Sequence, residues 1–127
     1  MAVILDTNAV SSLFAGVPAL REALASRPRH HLPVIVIGEY RFGLLRSRQR
    51  EKLEPLLAEL IRESIVLDID EATADAYSRV REELRSKGRP IPENDVWIAA
   101  LALQYAQPVV SRDEHFDSIR NLVRVGW

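Results

Sequence analysis

Cysteine is absent from the 127 residues, which excludes a disulfide framework, thiolate zinc sites and cysteine nucleophiles and leaves oxygen and imidazole as the available metal ligands. No apolar run approaches the roughly 18 residues of a membrane span. The opening Met-Ala-Val-Ile-Leu-Asp has neither the basic region nor the cleavage site of a secretory leader. The expectation is a cytoplasmic protein without membrane contact. Net charge is nearly absent as well: 17 Lys and Arg against 18 Asp and Glu leave −1. No global positive field therefore draws nucleic acid, and any such contact has to be a local patch. Repeats, linkers and low-complexity tracts are missing too. What remains is 47% hydrophobic and 28% charged, the composition of an ordinary globular chain of a length that fits one domain with a full core.

The least polar stretch is the natural anchor. Val96 to Leu103 contains no polar side chain, follows two prolines (Pro90 and Pro92) and has no β-branched residue after Ile98. It predicts a helix starting near Asn94 and buried on every face. Glu93, Asn94 and Asp95 then stand at its entrance. Asp95 alone would also serve as a cap for free N–H groups, so its meaning depends on what other parts of the chain bring to it.

Ala2 to Leu5 reads as a short buried parallel strand ending at Asp6, the end of a strand where ligands of open α/β sheets gather. Asp6 is equally placed to cap the helix that follows. That helix runs through Leu13 and Phe14 to Gly16, and Pro18 opens a second, to about Ser26. After the polar break Arg27 to His31, the β-branched run Pro33 to Ile37 reads as strand two. Helical spacing takes over with Ile37, Tyr40, Leu44 and Leu45, placing Glu39 in a first turn. Arg41, Arg46, Arg48, Arg50 and Lys52 follow as the one dense basic cluster. It is either a solvated face or a contact for a polyanion.

Glu51 to Glu63 is an amphipathic helix, with Pro55 kinking it or marking its first turn. Ser64 to Ile69 reads as strand three. Asp70 caps a long helix to Lys87, whose core face is Thr73, Ala76, Tyr77, Val80 and Leu84 and which stops at Gly88. Its pairs Asp75 with Arg79 and Glu83 with Lys87 look like scaffolding. Val109 to Ser111 is strand four, followed within two residues by Asp113, and Leu122 to Val125 is strand five. His30, His31 and His115 show no metal-ligand spacing and read as surface or loop residues. Strands alternating with helices imply a mostly parallel sheet in a three-layer α/β sandwich.

If strands one and four are neighbours, Asp6 and Asp113 share a rim that helices bearing Glu39 and Asp95 also face. Four carboxylates so gathered repel each other and raise each other's pKa unless a cation neutralises them. Hard divalent cations bind such oxygen clusters, and the chemistry they support is phosphate-ester hydrolysis.

Four motifs in order, Leu5-Asp6-Thr7-Asn8, Glu39-Tyr40, Asn94-Asp95-Val96-Trp97-Ile98-Ala99-Ala100 and Ser111-Arg112-Asp113-Glu114-His115-Phe116, make the chain resemble the PIN-domain ribonucleases of the VapC toxin type. The likeness covers nearly the whole length, and Ser111 stands where that family usually has threonine. It implies residues 1–127 as a single PIN-like domain and an α/β/α sandwich with strand order 3-2-1-4-5. It implies Mg²⁺- or Mn²⁺-dependent RNA cleavage, homodimers, and neutralisation by a cognate antitoxin. The implied acidic and metal-binding site is Asp6, Glu39, Asp95 and Asp113, with Thr7, Asn8 and Ser111 as supporting hydroxyls or amide. The basic cluster supplies Arg41, Arg46, Arg48 and Arg50 as candidates for contact with RNA. Competing readings are weaker. A phosphoacceptor receiver needs paired acids near its first strand and a late lysine, but the only lysines are Lys52 and Lys87. An aspartate-nucleophile phosphatase usually shows Asp-x-Asp where this chain has Asp6-Thr7-Asn8. The plain alternative is a non-catalytic α/β binding or signalling module whose acids are four independent caps.

Overall fold

The computed structural model describes residues 2–27 and 29–127. Five strands, β1 (Ala2–Leu5), β2 (Arg29–Pro33), β3 (Ile65–Leu67), β4 (Val109–Val110) and β5 (Arg124–Val125), form one sheet in the order β3-β2-β1-β4-β5. All four pairings are parallel. In the centre, Ile4 lies opposite His31 on one side and Val109 on the other. The connecting helices are α1 (Thr7–Phe14), α2 (Pro18–Leu24), α3 (Val34–Leu44), α4 (Arg50–Glu63), α5 (Glu71–Ser86) and α6 (Glu93–Gln104), with a 3₁₀ turn at Glu114–Ser118. The chain leaves β1 toward β2 and β3, then crosses back to β4 and β5. Right-handed crossovers therefore put α1 to α4 on one face and α5 and α6 on the other, an α/β/α sandwich.

Several boundaries follow from local chemistry. α1 and α5 run out at Gly16 and Gly88, whose φ values of 73° and 63° lie in the left-handed region that a side chain disfavours. Asp70 caps α5 in a reciprocal box with Thr73. α6 is buried around most of its circumference, with Val96, Ile98, Ala99, Ala100, Leu101 and Ala102 all inside, as an all-apolar helix requires.

One strand stands elsewhere than expected. β2 is the polar-looking Arg29–Pro33, and the β-branched run Val34 to Ile37 opens α3 instead. β1 has only four residues, and in its register with β2 its neighbour runs just one residue past it, to Pro33, which pairs with Leu67. The chain then turns into a helix at once, and sheet geometry overrides β-propensity. Two further readings change with it. Glu39 sits in the second turn of α3, not the first, and His30 and His31 lie in a central strand, with His31 buried. Strands three to five are shorter than expected, and Ser111 falls just beyond β4, fully buried.

Candidate active site

Parallel strands place all five carboxyl ends on one rim, and each of the four acids reaches that rim by a different route. Asp6 directly follows β1 and is nearly inaccessible at 2% exposure. Its Oδ1 accepts a 2.8 Å hydrogen bond from the Ala9 N–H, so it does cap α1, and the capping role and the site position coincide. Asp95 is the third residue of α6, whose N-cap is Pro92; it is not the cap. Glu39 arrives on α3, which starts at this rim. Asp113 lies three residues past β4.

Neighbouring side chains hold these acids in place. The Thr7 hydroxyl donates to Glu39 Oε1 at 2.8 Å, linking residues 32 apart in sequence. Asn8 Nδ2 donates to Asp113 Oδ2 at 2.9 Å, across 105 residues. The Asp113 N–H donates to the Ser111 hydroxyl at 2.9 Å. Thr7, Asn8 and Ser111 thus brace two of the four carboxyl-bearing residues.

The electrostatics show that the acids feel each other. Burial pushes the Asp6 carboxyl above its ordinary value; the Ser111 hydroxyl and Ala9 N–H oppose this, and the charges of Asp113 and Glu39 add to it. Asp95 is pushed up to about 6, first by burial, against the pull of His115, with Glu39, Asp6 and Asp113 raising it further. Among the described residues no Lys or Arg comes within ion-pair distance of any of the four. Asp95, Asp113 and His115 present ligand atoms all within 4.8 Å of one another. Asp6 and Glu39 stand outside that tight group while contributing charge to it. A gathering of carboxylates with no fixed cation, two of them raised, is the donor set that a hard divalent ion fits.

His115 is the residue the sequence reading missed. Its Nε2 lies 3.0 Å from Asp95 Oδ2, so it belongs to the site and not to a loop surface. The available signal was its place two residues after Asp113 and immediately before Phe116, which is fully buried and so pins the turn. The site is a rim. A cleft of about 1090 Å³ lies between α5, the end of α6 and the approach to β5, and none of the four acids lines it.

Arg41, Arg46, Arg48 and Arg50 are all exposed. Arg50 is engaged by Glu54 at 2.9 Å, and the Arg46 guanidinium lies 5.4 Å from the centre of the Phe42 ring. The structure gives them no contact with the four acids.

Residues 3–122 match the PIN domain family. The chain belongs to that family. It is similar to the ribonuclease VapC5 of Mycobacterium tuberculosis, with 32% identity over 118 residues, covering 91% of this chain and 86% of that protein. In structure it resembles a chain of VapBC2 from Rickettsia felis bound to a fragment of its promoter DNA, at a TM-score of 0.88 and 26% identity, covering 100% of this chain and 99% of the other. A chain of DNA-bound VapBC from Salmonella typhimurium gives a TM-score of 0.87 at 26% identity, covering 100% and 98%. Within the family, the chain groups with the VapC type.

Proposed function

We propose that this protein is a divalent-metal-dependent endoribonuclease that acts as the toxin of a toxin–antitoxin pair. The observation that carries the reading is the meeting of Asp6, Glu39, Asp95 and Asp113 at one rim with no Lys or Arg among them. The relatives' names, a ribonuclease and VapBC complexes, supply the reaction class and the kind of partner.

Asp95 and Asp113 would hold the ion directly, with Asp6 and Glu39 supplying charge around it. When bound, Mg²⁺ or Mn²⁺ offsets the charge that develops on a scissile phosphodiester and favours ionisation of the attacking water. The chain's own residues do the positioning. Asp6 is locked by the first turn of α1, Thr7 fixes the Glu39 carboxylate, and Asn8 fixes that of Asp113. Asp6 and Asp95 are raised by burial first, with the neighbouring carboxylates adding to it.

Arg41, Arg46, Arg48 and Arg50 form the proposed RNA path. Arg46 stands seven residues past Glu39, in the turn just beyond the end of α3 at Leu44. Each phosphate contact on a single strand contributes roughly 0.7 to the slope of log affinity against log salt. Arg46→Ala with Arg48→Ala should therefore flatten that slope by roughly 1.4, measured in chelator to prevent turnover; an unchanged slope removes these two from the path.

The protein partners are a cognate antitoxin and a second copy of the chain. Val34 and Phe42 on α3, Leu45 at its C-cap and Leu56 on α4 are exposed, apolar side chains of the kind protein partners cover. Charge complementarity assigns the antitoxin a basic side chain, an arginine, placed among the rim carboxylates. The deciding experiment incubates purified protein with RNA in Mn²⁺, in Mg²⁺ and in excess chelator. Cleavage with either ion and none in chelator is expected; cleavage unaffected by chelator, or none with either ion, overturns the reading.

A further inference from the structure

We propose that His115 is a nitrogen ligand of the rim centre and biases it away from Mg²⁺ toward transition-metal ions such as Co²⁺ and Mn²⁺. The inference rests on the reading of the rim as a divalent-metal site. It goes beyond that reading by assigning a ligand that is not an acid and a metal preference that follows from it.

The geometry carries the assignment. His115 Nε2 lies 3.0 Å from Asp95 Oδ2, and Asp95, Asp113 and His115 hold their ligand atoms within 4.8 Å of one another. Adjacent ligands of a six-coordinate ion with bonds near 2.1 Å stand about 3.0 Å apart. The same separation would also suit a hydrogen bond, yet Nε2 is shielded from solvent and has no hydrogen-bond partner of acceptable direction. It is close to Asp95 and not aimed at it. A nitrogen whose in-plane direction misses its neighbouring oxygen, while both border the same space, is arranged as two ligands are around a shared ion.

The scaffold fixes this placement. Phe116, fully buried, packs against the imidazole with ring centres 4.8 Å apart. The Phe116 N–H closes the turn on the Asp113 carbonyl at 3.4 Å. His115 and Asp113 are therefore presented together by one short rigid turn, while Asp95 comes from α6. Imidazole suits the transition ions, whereas Mg²⁺ prefers oxygen and keeps its water. Replacing one of the water or carboxylate positions by His115 adds affinity for Co²⁺ that Mg²⁺ does not share, with Mn²⁺ between them.

The test uses the full chain freed of metal by chelator and dialysis, titrated calorimetrically with Mg²⁺, Mn²⁺ and Co²⁺. The wild type is compared with His115→Ala, with His115→Gln, which keeps bulk and polarity but offers oxygen, and with Asp95→Asn. Pulsed electron paramagnetic resonance on the Mn²⁺-loaded protein reads coupling to a ligating imidazole nitrogen. Expected is a loss of Co²⁺ affinity of at least about 10-fold in both His115 variants, the scale on which even outer partners act, with Mg²⁺ affinity changing less than about threefold. The nitrogen coupling should be present in the wild type and gone in both variants. Thermal melts confirm that each variant is folded, and His115→Gln serves if His115→Ala is not. Equal losses for Mg²⁺ and Co²⁺ would mean that His115 only positions Asp95, and would overturn the inference, as would wild-type Mn²⁺ without nitrogen coupling. Failure of the wild type to bind any of the three ions overturns the metal-centre reading itself. Metal binding that Asp95→Asn weakens but the His115 variants leave unchanged would leave that reading standing and remove His115 alone.

Discussion

Helix α5 and the carboxyl rim of the sheet are both rich in acids and treat them in opposite ways. On α5, Asp70 is held below its ordinary value by the Thr73 N–H, and Glu82 by the Arg85 guanidinium. For Glu83, burial pushes upward, but Lys87 and the Arg120 N–H win and its pKa ends low. At the rim, Asp6 and Asp95 are raised, and among the described residues no Lys or Arg sits within ion-pair distance. An acid that the fold has satisfied from its own side chains is scaffolding. An acid raised first by burial and further by others of its kind, and left without a fixed cation, is kept for something that arrives later.

The sharpest way to break the comparison is to remove one acid from each region and measure turnover. Asp95→Asn keeps the shape and removes the charge, and RNA cleavage should fall at least about 100-fold, more than the roughly 10- to 100-fold that outer partners of metal sites cost. Asp75→Asn on α5 should leave turnover within a factor of two. A rim variant with near wild-type cleavage would erase the distinction.

Stability in chelator reads the same contrast with the sign reversed. A carboxyl whose folded pKa is raised binds its proton more tightly in the fold than when unfolded. Its contribution is therefore fully present below the unfolded value and lost as pH rises through the folded one. For Asp95 the window runs from about 3.8 to about 6. The two values correspond to at most about 3 kcal/mol, which solvent access to the open rim reduces to roughly 1–2 kcal/mol. Melting curves of the metal-free protein should show this decline in the wild type, and the difference from Asp95→Asn should open across that window and stay constant above it. Saturating Mg²⁺ or Mn²⁺ should restore the wild type more than the variant; equal restoration would count against the site.

Much of this contrast was legible in the residues. The α5 pairs Asp75–Arg79 and Glu83–Lys87 and the Asp70 cap are local, set by spacings of three or four along one helix, and the structure shows them as read. The parallel sheet followed from alternating elements, and the strand order, which makes β1 and β4 neighbours and brings Asp6 and Asp113 to one rim, from the family resemblance. What stayed hidden depended on distant partners. The β2 and α3 boundary is set by the length of β1 and the pairing with β3, not by the β-branched run itself. Thr7 bracing Glu39 and Asn8 bracing Asp113 join residues that no local pattern connects. His115 carries no metal-ligand spacing in the sequence, because the side chain it lies against is Asp95, twenty positions earlier on another element.

A smaller effect separates caps from site acids. Asp70 accepts from the Thr73 N–H at 3.0 Å, and its own N–H donates to the Thr73 hydroxyl at 3.1 Å. Asp70→Ala should cost about 1 kcal/mol, the usual worth of an N-cap, seen as a lower denaturant midpoint with an unchanged slope. Because this acid is satisfied by Thr73 and by Gln104 Nε2 at 3.1 Å, added Mg²⁺ should stabilise Asp70→Ala and the wild type equally. Asp6 is also a helix cap, so Asp6→Ala would lose capping and site charge together. Asp6→Asn keeps an acceptor for the Ala9 N–H, and its metal response should drop while α1 stays capped.

The smallest effect belongs to the ion pair Asp75–Arg79, 3.1 Å long with both side chains more than half exposed, at 67% and 79%. At that exposure water and salt screen the attraction, and ordering two flexible side chains offsets most of what remains, so Asp75→Ala should cost only a few tenths of a kcal/mol. High salt should erase even that difference, since the pair lies at the surface where screening acts. Chemical denaturation in urea, at low and high sodium chloride, measures it without adding the ionic strength of guanidinium. A loss above about 1 kcal/mol, or one that responds to Mg²⁺, would show that α5 is coupled to the rim through the α5–α6 packing, and that the two groups of acids are not independent.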